Sequence, residues 1–182
     1  MPSATQDVAR TQSTASTGPR AAALKPGDKA IAFTLPSKPG NPVNVGEHIG
    51  KDTVVLLFIP FAFSPVCTAE FCHLRDSWSQ WQKLNAKVFG VSVDSPFVVD
   101  KFREAEKIPF PILSDFNRDV IRQYGVQQEE FKGLKGFAKR AAFVIGKDGK
   151  VKYSWVSDEP GVQVKFDEIE AALRGQPARA AV

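Results

Sequence analysis

The chain of 182 residues carries 24 Lys+Arg against 20 Asp+Glu, a formal net charge of +4, with 43% hydrophobic and 24% charged residues. That length suits one domain with a sizeable core, and those proportions argue against a wholly disordered or fibrous chain. The basic residues are scattered rather than gathered into a stripe, which argues against nucleic-acid binding, and the longest apolar run, Val54 to Phe63, is interrupted by Pro60 and falls short of the ~20 residues a membrane-spanning helix needs.

Residues 1–24 are rich in Ser, Thr and Ala and lack the apolar stretch of a secretory signal, so the sequence predicts a flexible N-terminal extension followed by a single domain over residues 25–182. An organelle transit peptide would share the Ser-rich, acid-poor composition, but the two arginines of this stretch, Arg10 and Arg20, support it weakly. Past Lys25, the alternation of Ile31-Ala32-Phe33-Thr34-Leu35 predicts a half-buried strand, followed by a Pro/Gly-rich turn through Asn41-Pro42. Thr53 to Ile59 is apolar and β-branched without polar alternation, as a central strand covered on both faces should be. A helix is predicted from Pro65 to about Leu84, with Ser64 as its cap and Pro65 at its first position.

Val88 to Val93 reads as a second buried strand, Ser95-Pro96 starts a helix to about Glu106, and Ile112 to Ser114 reads as a short strand. Asp115 or Asn117 caps a helix that ends at Tyr124 and is stopped by Gly125. Gln127 to Lys139 has no clear period and is predicted as a long loop. Ala141 to Ile145 and Val151 to Val156 flank Lys147-Asp148-Gly149, a hairpin signal, and a last helix runs from about Val162 to Leu173. Strands alternating with helices and closed by a hairpin define an α/β class, and the order fits a thioredoxin-like fold with a central mixed β-sheet layered between helices.

Cys67 and Cys72 are the only cysteines, too few for a secreted disulfide framework and in keeping with a reducing, cytoplasmic compartment. On a helical wheel Phe71, Leu74, Trp78 and Trp81 fall within roughly 40° of Cys67, while Cys72 lies about 140° away. An intact helix would hold the two α-carbons about 8 to 9 Å apart, too far for a disulfide, so a bond between them requires local unwinding. Spacing alone leaves open an unrelated pair, one a small core residue and the other incidental. Cys67 falls in the first helical turn, where backbone N–H groups and the helix dipole favour an anion. Ser64 can direct its hydroxyl there or cap the helix, and Pro60 can wall a pocket or simply end the strand.

Pro60-x-x-x-Ser64-x-x-Cys67 resembles the peroxiredoxin signature Pro-x-x-x-Thr/Ser-x-x-Cys. Cys67-Thr68-Ala69-Glu70-Phe71-Cys72-His73-Leu74-Arg75-Asp76 is similar to the corresponding segment of the Q-type, or bacterioferritin-comigratory-protein, peroxiredoxins. The resemblance continues through Gly90 to Ser95, Pro111 to Asp115, Tyr124 to Val126 and Arg140 to Ile145. It implies a thiol peroxidase without a cofactor, a monomer or homodimer, in which Cys67 reduces a hydroperoxide, hydrogen peroxide or organic. Cys72 is then the resolving cysteine, forming an intramolecular disulfide that thioredoxin or a similar dithiol reopens. Pro60, Ser64 and Arg140 complete the implied site, and a guanidinium suits the last role because it stays charged and can bind both sulfur and peroxide oxygen. Phe61-Ala62-Phe63 departs from the Q-type pattern and looks more like the E-type alkyl hydroperoxide reductases, which fits either bulkier organic hydroperoxides or a dimer contact. Glu70 reads equally as an acid that orients an arginine and as an ordinary acid early in a helix.

Other chemistries fit less well. Cys67, Cys72, His73 and His48 are the only Cys and His residues, without the spacing of a zinc site, and the Cys-x-x-Cys of a disulfide exchanger is absent. A one-cysteine peroxidase resolved by an external thiol, and a non-enzymatic chaperone or interaction module on the same fold, are the alternatives.

Overall fold

The computed structural model describes residues 22–176. The predicted extension therefore lies outside the described residues except for its last three, of which Leu24 is buried in the core and donates its N–H to the Tyr124 carbonyl at 3.2 Å. Nine strands and five α-helices follow among the described residues: β1 (Thr34–Lys38), β2 (Asn41–Asn44), β3 (Thr53–Phe58), α1 (Pro65–Asp76), α2 (Trp78–Gln82), β4 (Ala86–Ser92), α3 (Pro96–Ala105), β5 (Ile112–Ser114), α4 (Asp119–Gln123), β6 (Gln127–Phe131), β7 (Leu134–Ala138), β8 (Arg140–Ile145), β9 (Val151–Ser157) and α5 (Phe166–Leu173).

The main sheet runs β5-β4-β3-β8-β9. Strand β3 lies parallel to β4, β4 parallel to β5, and the β3–β8 and β8–β9 pairs are antiparallel, which makes this the mixed α/β sheet that the sequence predicts. Every residue from Val54 to Ile59 is fully buried. Val54, Leu56 and Phe58 enter one cluster with Val120, Ile121 and Tyr124 of the α4 region, and Val55, Leu57 and Ile59 the other, with Phe71, Leu74, Trp81, Phe102 and Ile169 from the remaining helices. Two covered faces explain a strand without polar alternation. The predicted hairpin also forms, with Gly149 at φ 74° in its turn, a conformation a side chain would resist.

Four predicted elements differ. The first strand starts at Thr34 and continues past Leu35 because the chain turns at Pro39-Gly40, so Asn41-Pro42 belongs to β2, an exposed edge that tolerates proline. The long helix divides at Ser77, whose hydroxyl donates to the carbonyls of His73 at 2.9 Å and Leu74 at 3.4 Å and competes with helix continuation. Trp81 nonetheless reaches the cluster that holds Cys67. Gln127 to Ala138 is a two-stranded ribbon rather than a loop, closed by Lys132-Gly133 with both residues at positive φ. Its first strand, beginning Gln-Gln-Glu-Glu, stands outside the main sheet and has no apolar face to give a periodic signal. Finally, α5 begins at Phe166, since Val162 sits in a turn with its N–H on the Glu159 carbonyl.

Candidate active site

Strand β3 leads into the site. Ile59 still donates to the Val91 carbonyl at 3.0 Å, after which Pro60, with no N–H, leaves the ladder. The following loop is tied down by Asp94, whose Oδ2 accepts the Ala62 N–H at 2.7 Å and the Ser92 hydroxyl at 2.5 Å. Phe63 sits at φ 62°, an uncommon conformation for an aromatic residue, and stacks edge-on against Phe102 of α3. Ser64 is extended, and its carbonyl accepts the Thr68 N–H at 2.9 Å, which starts α1. Its hydroxyl turns back and donates to the Phe61 carbonyl at 3.0 Å rather than capping the helix. Ser64 thus holds the N-cap position and lines the pocket that Pro60 walls, while its hydroxyl serves the loop.

Pro65 occupies the first helical position and places Cys67 in the first turn, fully buried. Arg140 comes from far along the chain. The antiparallel register sets Phe58 opposite Ala141, so Arg140, first residue of β8, stands beside the end of β3 under the N-terminus of α1. Its Nη2 donates to Cys67 Sγ at 3.2 Å and to the Pro160 carbonyl at 2.7 Å, its Nε to the same carbonyl at 3.1 Å, and its Nη1 to Glu70 Oε2 at 3.1 Å. That carboxylate oxygen also accepts the Val164 N–H at 3.2 Å. Glu70 is therefore the acid that orients the arginine. Burial pushes its carboxyl above the usual range, against the opposing pull of Arg140 and of the Val164 N–H.

Pro60 and Ser64 join Arg140, Phe61, Val66 and Phe137 around a cavity of about 260 Å³, so Pro60 both ends the strand and walls the pocket. A guanidinium within hydrogen-bonding reach of a sulfur in a buried site can bind an oxygen that gains charge as a bond to it breaks. Cys72 is not part of this group. It lies half-buried on another side of α1, its Sγ 3.4 Å from Glu106 Oε2, and both thiols are free. Asp94, Glu106, Pro160 and Val164 were not singled out by the sequence. Asp94 stands in a segment of the resemblance, but the other three act through a distant pairing or a backbone atom and left no signal.

Among the described residues no group of three His, Cys, Asp or Glu side chains gathers where a metal ion could be held, and no helix is long and apolar enough to cross a membrane.

Residues 26–154 match the AhpC/TSA family. A putative peroxiredoxin of Mycobacterium tuberculosis is 39% identical over 131 residues, 70% of this chain and 82% of its own length. Peroxiredoxin Bcp of Escherichia coli is 36% identical over 132 residues, 71% of this chain and 84% of the relative. Among solved structures, peroxidoxin BcpB from Mycobacterium tuberculosis superposes with a TM-score of 0.73 at 33% identity, covering 84% of this chain and 97% of that one. The chain belongs to the AhpC/TSA family. As a peroxiredoxin it is an enzyme, an oxidoreductase that reduces peroxides with electrons from thiols, on a thioredoxin-like fold.

Proposed function

We propose that Cys67 is the residue that attacks the peroxide and Cys72 the residue that resolves the product. The observation that carries the first half is the 3.2 Å contact from Arg140 Nη2 to Cys67 Sγ, at the edge of the cavity that Pro60 and Ser64 also line. The thiolate attacks one oxygen of ROOH, the O–O bond breaks, Cys67 becomes a sulfenic acid, and the other oxygen leaves as the alcohol or water after taking a proton. Arg140 binds the peroxide and stabilises the charge on the departing oxygen, while Glu70 and the Pro160 carbonyl fix its plane. Cys72 then displaces hydroxide from the sulfenic sulfur, giving an intramolecular disulfide and water. A dithiol such as thioredoxin reopens the bond. The reading takes residues 25–182 as the catalytic domain, working in a cytoplasm that keeps thiols reduced.

Intact-mass spectrometry tests it. Peroxide-treated parent protein should lose two hydrogens without dimerising, Cys67→Ser should consume no peroxide, and Cys72→Ser should consume one equivalent and then stall with thioredoxin. A Cys67→Ser variant with full turnover would remove Cys67 from the mechanism. A parent that holds a sulfenic acid without a disulfide would leave a one-cysteine enzyme resolved by an external thiol.

A further inference from the structure

Helix α1 is fastened to the C-terminal end of α3 by two neighbouring contacts at one residue. Cys72 Sγ donates to the Glu106 side chain at 3.4 Å, and Arg75 Nη1 donates to the Glu106 backbone carbonyl at 2.7 Å. Glu106 is the residue just past α3, its N–H held by the Phe102 carbonyl at 3.0 Å, and Phe102 stacks on Phe71 of α1. The backbone contact and the Phe71–Phe102 packing join the two helices without the carboxylate. The carboxylate is a separate feature, aimed at the one thiol that must stay idle until Cys67 is oxidised.

We propose that Glu106 is a positioning residue for the resolving step: its carboxylate holds Cys72 in place as a neutral S–H donor while α1 is folded, and releases it only when α1 unwinds. The proposal rests on the reading of Cys72 as the resolving cysteine. In the folded form burial and the Glu106 carboxylate push the Cys72 thiol up, the neighbouring Asp76 adds to this, and the Arg75 guanidinium opposes it. Unwinding carries Cys72 away from the carboxylate and toward Cys67, so the movement that closes the gap also restores nucleophilicity. The balance of the step is simple. The Cys72 thiol loses its proton, an S–S bond forms, the S–O bond of the Cys67 sulfenic acid breaks, and hydroxide leaves as water with a proton. While the catch holds, Cys72 reacts slowly with stray oxidants and disulfides, at the expense of a longer-lived sulfenic acid at Cys67.

The test uses Glu106→Gln, which keeps an acceptor but removes the charge, and Glu106→Ala, which removes both; the Arg75 contact to the backbone survives in each. Closure of the disulfide, followed by tryptophan fluorescence after a peroxide pulse, should speed about fivefold in Glu106→Ala and less in Glu106→Gln, on the scale of losing one hydrogen bond. The bimolecular reaction of Cys67 with peroxide should stay at the parent rate. In a Cys67→Ser background, alkylation of Cys72 should take place at lower pH in both Glu106 variants than with Glu106 present. Unchanged closure and an unchanged alkylation profile, in chains that do form the disulfide, would overturn the catch and leave Cys72 as the resolving residue. A Glu106 that merely packs α3 against α1 would give an unshifted profile in Glu106→Gln, which also overturns it. A parent without the two-hydrogen loss would overturn the resolving role and the catch together.

Discussion

Arg140 touches a sulfur, a carboxylate and a backbone carbonyl at once, so its replacement removes more than a charge. Arg140→Met should slow peroxide reduction by one to three orders of magnitude in stopped-flow mixing, the scale of losing one preorganised electrostatic group. Arg140→Lys should recover little of this, since an ammonium cannot reach Cys67, Glu70 and Pro160 with one planar fork. Parent-like rates in both would show that the wrong arginine has been chosen. Glu70→Gln keeps an oxygen for Val164 but weakens the hold on Nη1, and should cost about tenfold in the same assay. Pro60, Cys67 and Arg140 were legible in the sequence through the peroxiredoxin resemblance, since the spacing of the two cysteines alone left a plain core role open. The role of Glu70 was not, because an acid early in a helix looks the same whether it faces water or a buried guanidinium, and only the β3–β8 pairing decides between them. The Pro160 carbonyl could not be read from any side chain.

Helix α1 is positioned by a close approach that the sequence hides. Gly90 of β4 lies under the ring of Phe71, and a Cβ there would stand 2.8 Å from two of the ring atoms. Phe71 also meets Phe110 at 5.2 Å between ring centroids and is fully buried, so the ring has nowhere to move. Gly90→Ala should therefore lower the free energy of unfolding in urea by about 2 kcal/mol, and slow peroxide reduction as α1 and Cys67 shift against Arg140. A variant with parent stability and rate would show that α1 is not seated by this contact. Elements with a strong local signal were legible: β3 from its unbroken apolar run, the β8–β9 hairpin from its Asp-Gly turn, the helix after Ser95-Pro96 from its start. The break at Ser77 was not, since the apolar stripe runs unbroken from Cys67 to Trp81 and only the hydroxyl's bonds to two carbonyls divide it. The β6–β7 ribbon escaped for the opposite reason, having hydrogen bonds but little apolar patterning.

For the molecule as a whole, the catalytic group is a consequence of sheet order. Residues 60–70, 140 and 160–164 meet because β8 inserts beside β3 and runs against it, and neither the order nor the register is encoded in local patterns. One charge inside this body links global stability to pH. Asp115, buried ahead of α4, accepts the N–H groups of Asp119 at 3.0 Å, Val120 at 3.2 Å and Ile121 at 2.8 Å, serving the helix start as the sequence suggests. Burial nevertheless outweighs these bonds and pushes its carboxyl from 3.8 up to about 6. The folded protein thus binds this proton more tightly than the unfolded chain, so its contribution makes stability fall as pH rises between those two values. Below the window both states are protonated and the penalty is absent; above it both are ionised and the penalty is complete, at roughly 3 kcal/mol. Asp115→Asn does not titrate, and every other group, including Glu70 and the exposed carboxylates Asp76 and Asp148 whose values are lowered, is common to both chains and cancels in the difference. The stability of the parent relative to Asp115→Asn, from urea unfolding, should therefore drop by roughly 3 kcal/mol between about pH 3.5 and about pH 6.5. If the parent instead gains on the variant across that range, the three helix N–H groups outweigh burial, and the ionised carboxylate is what the fold prefers at this position.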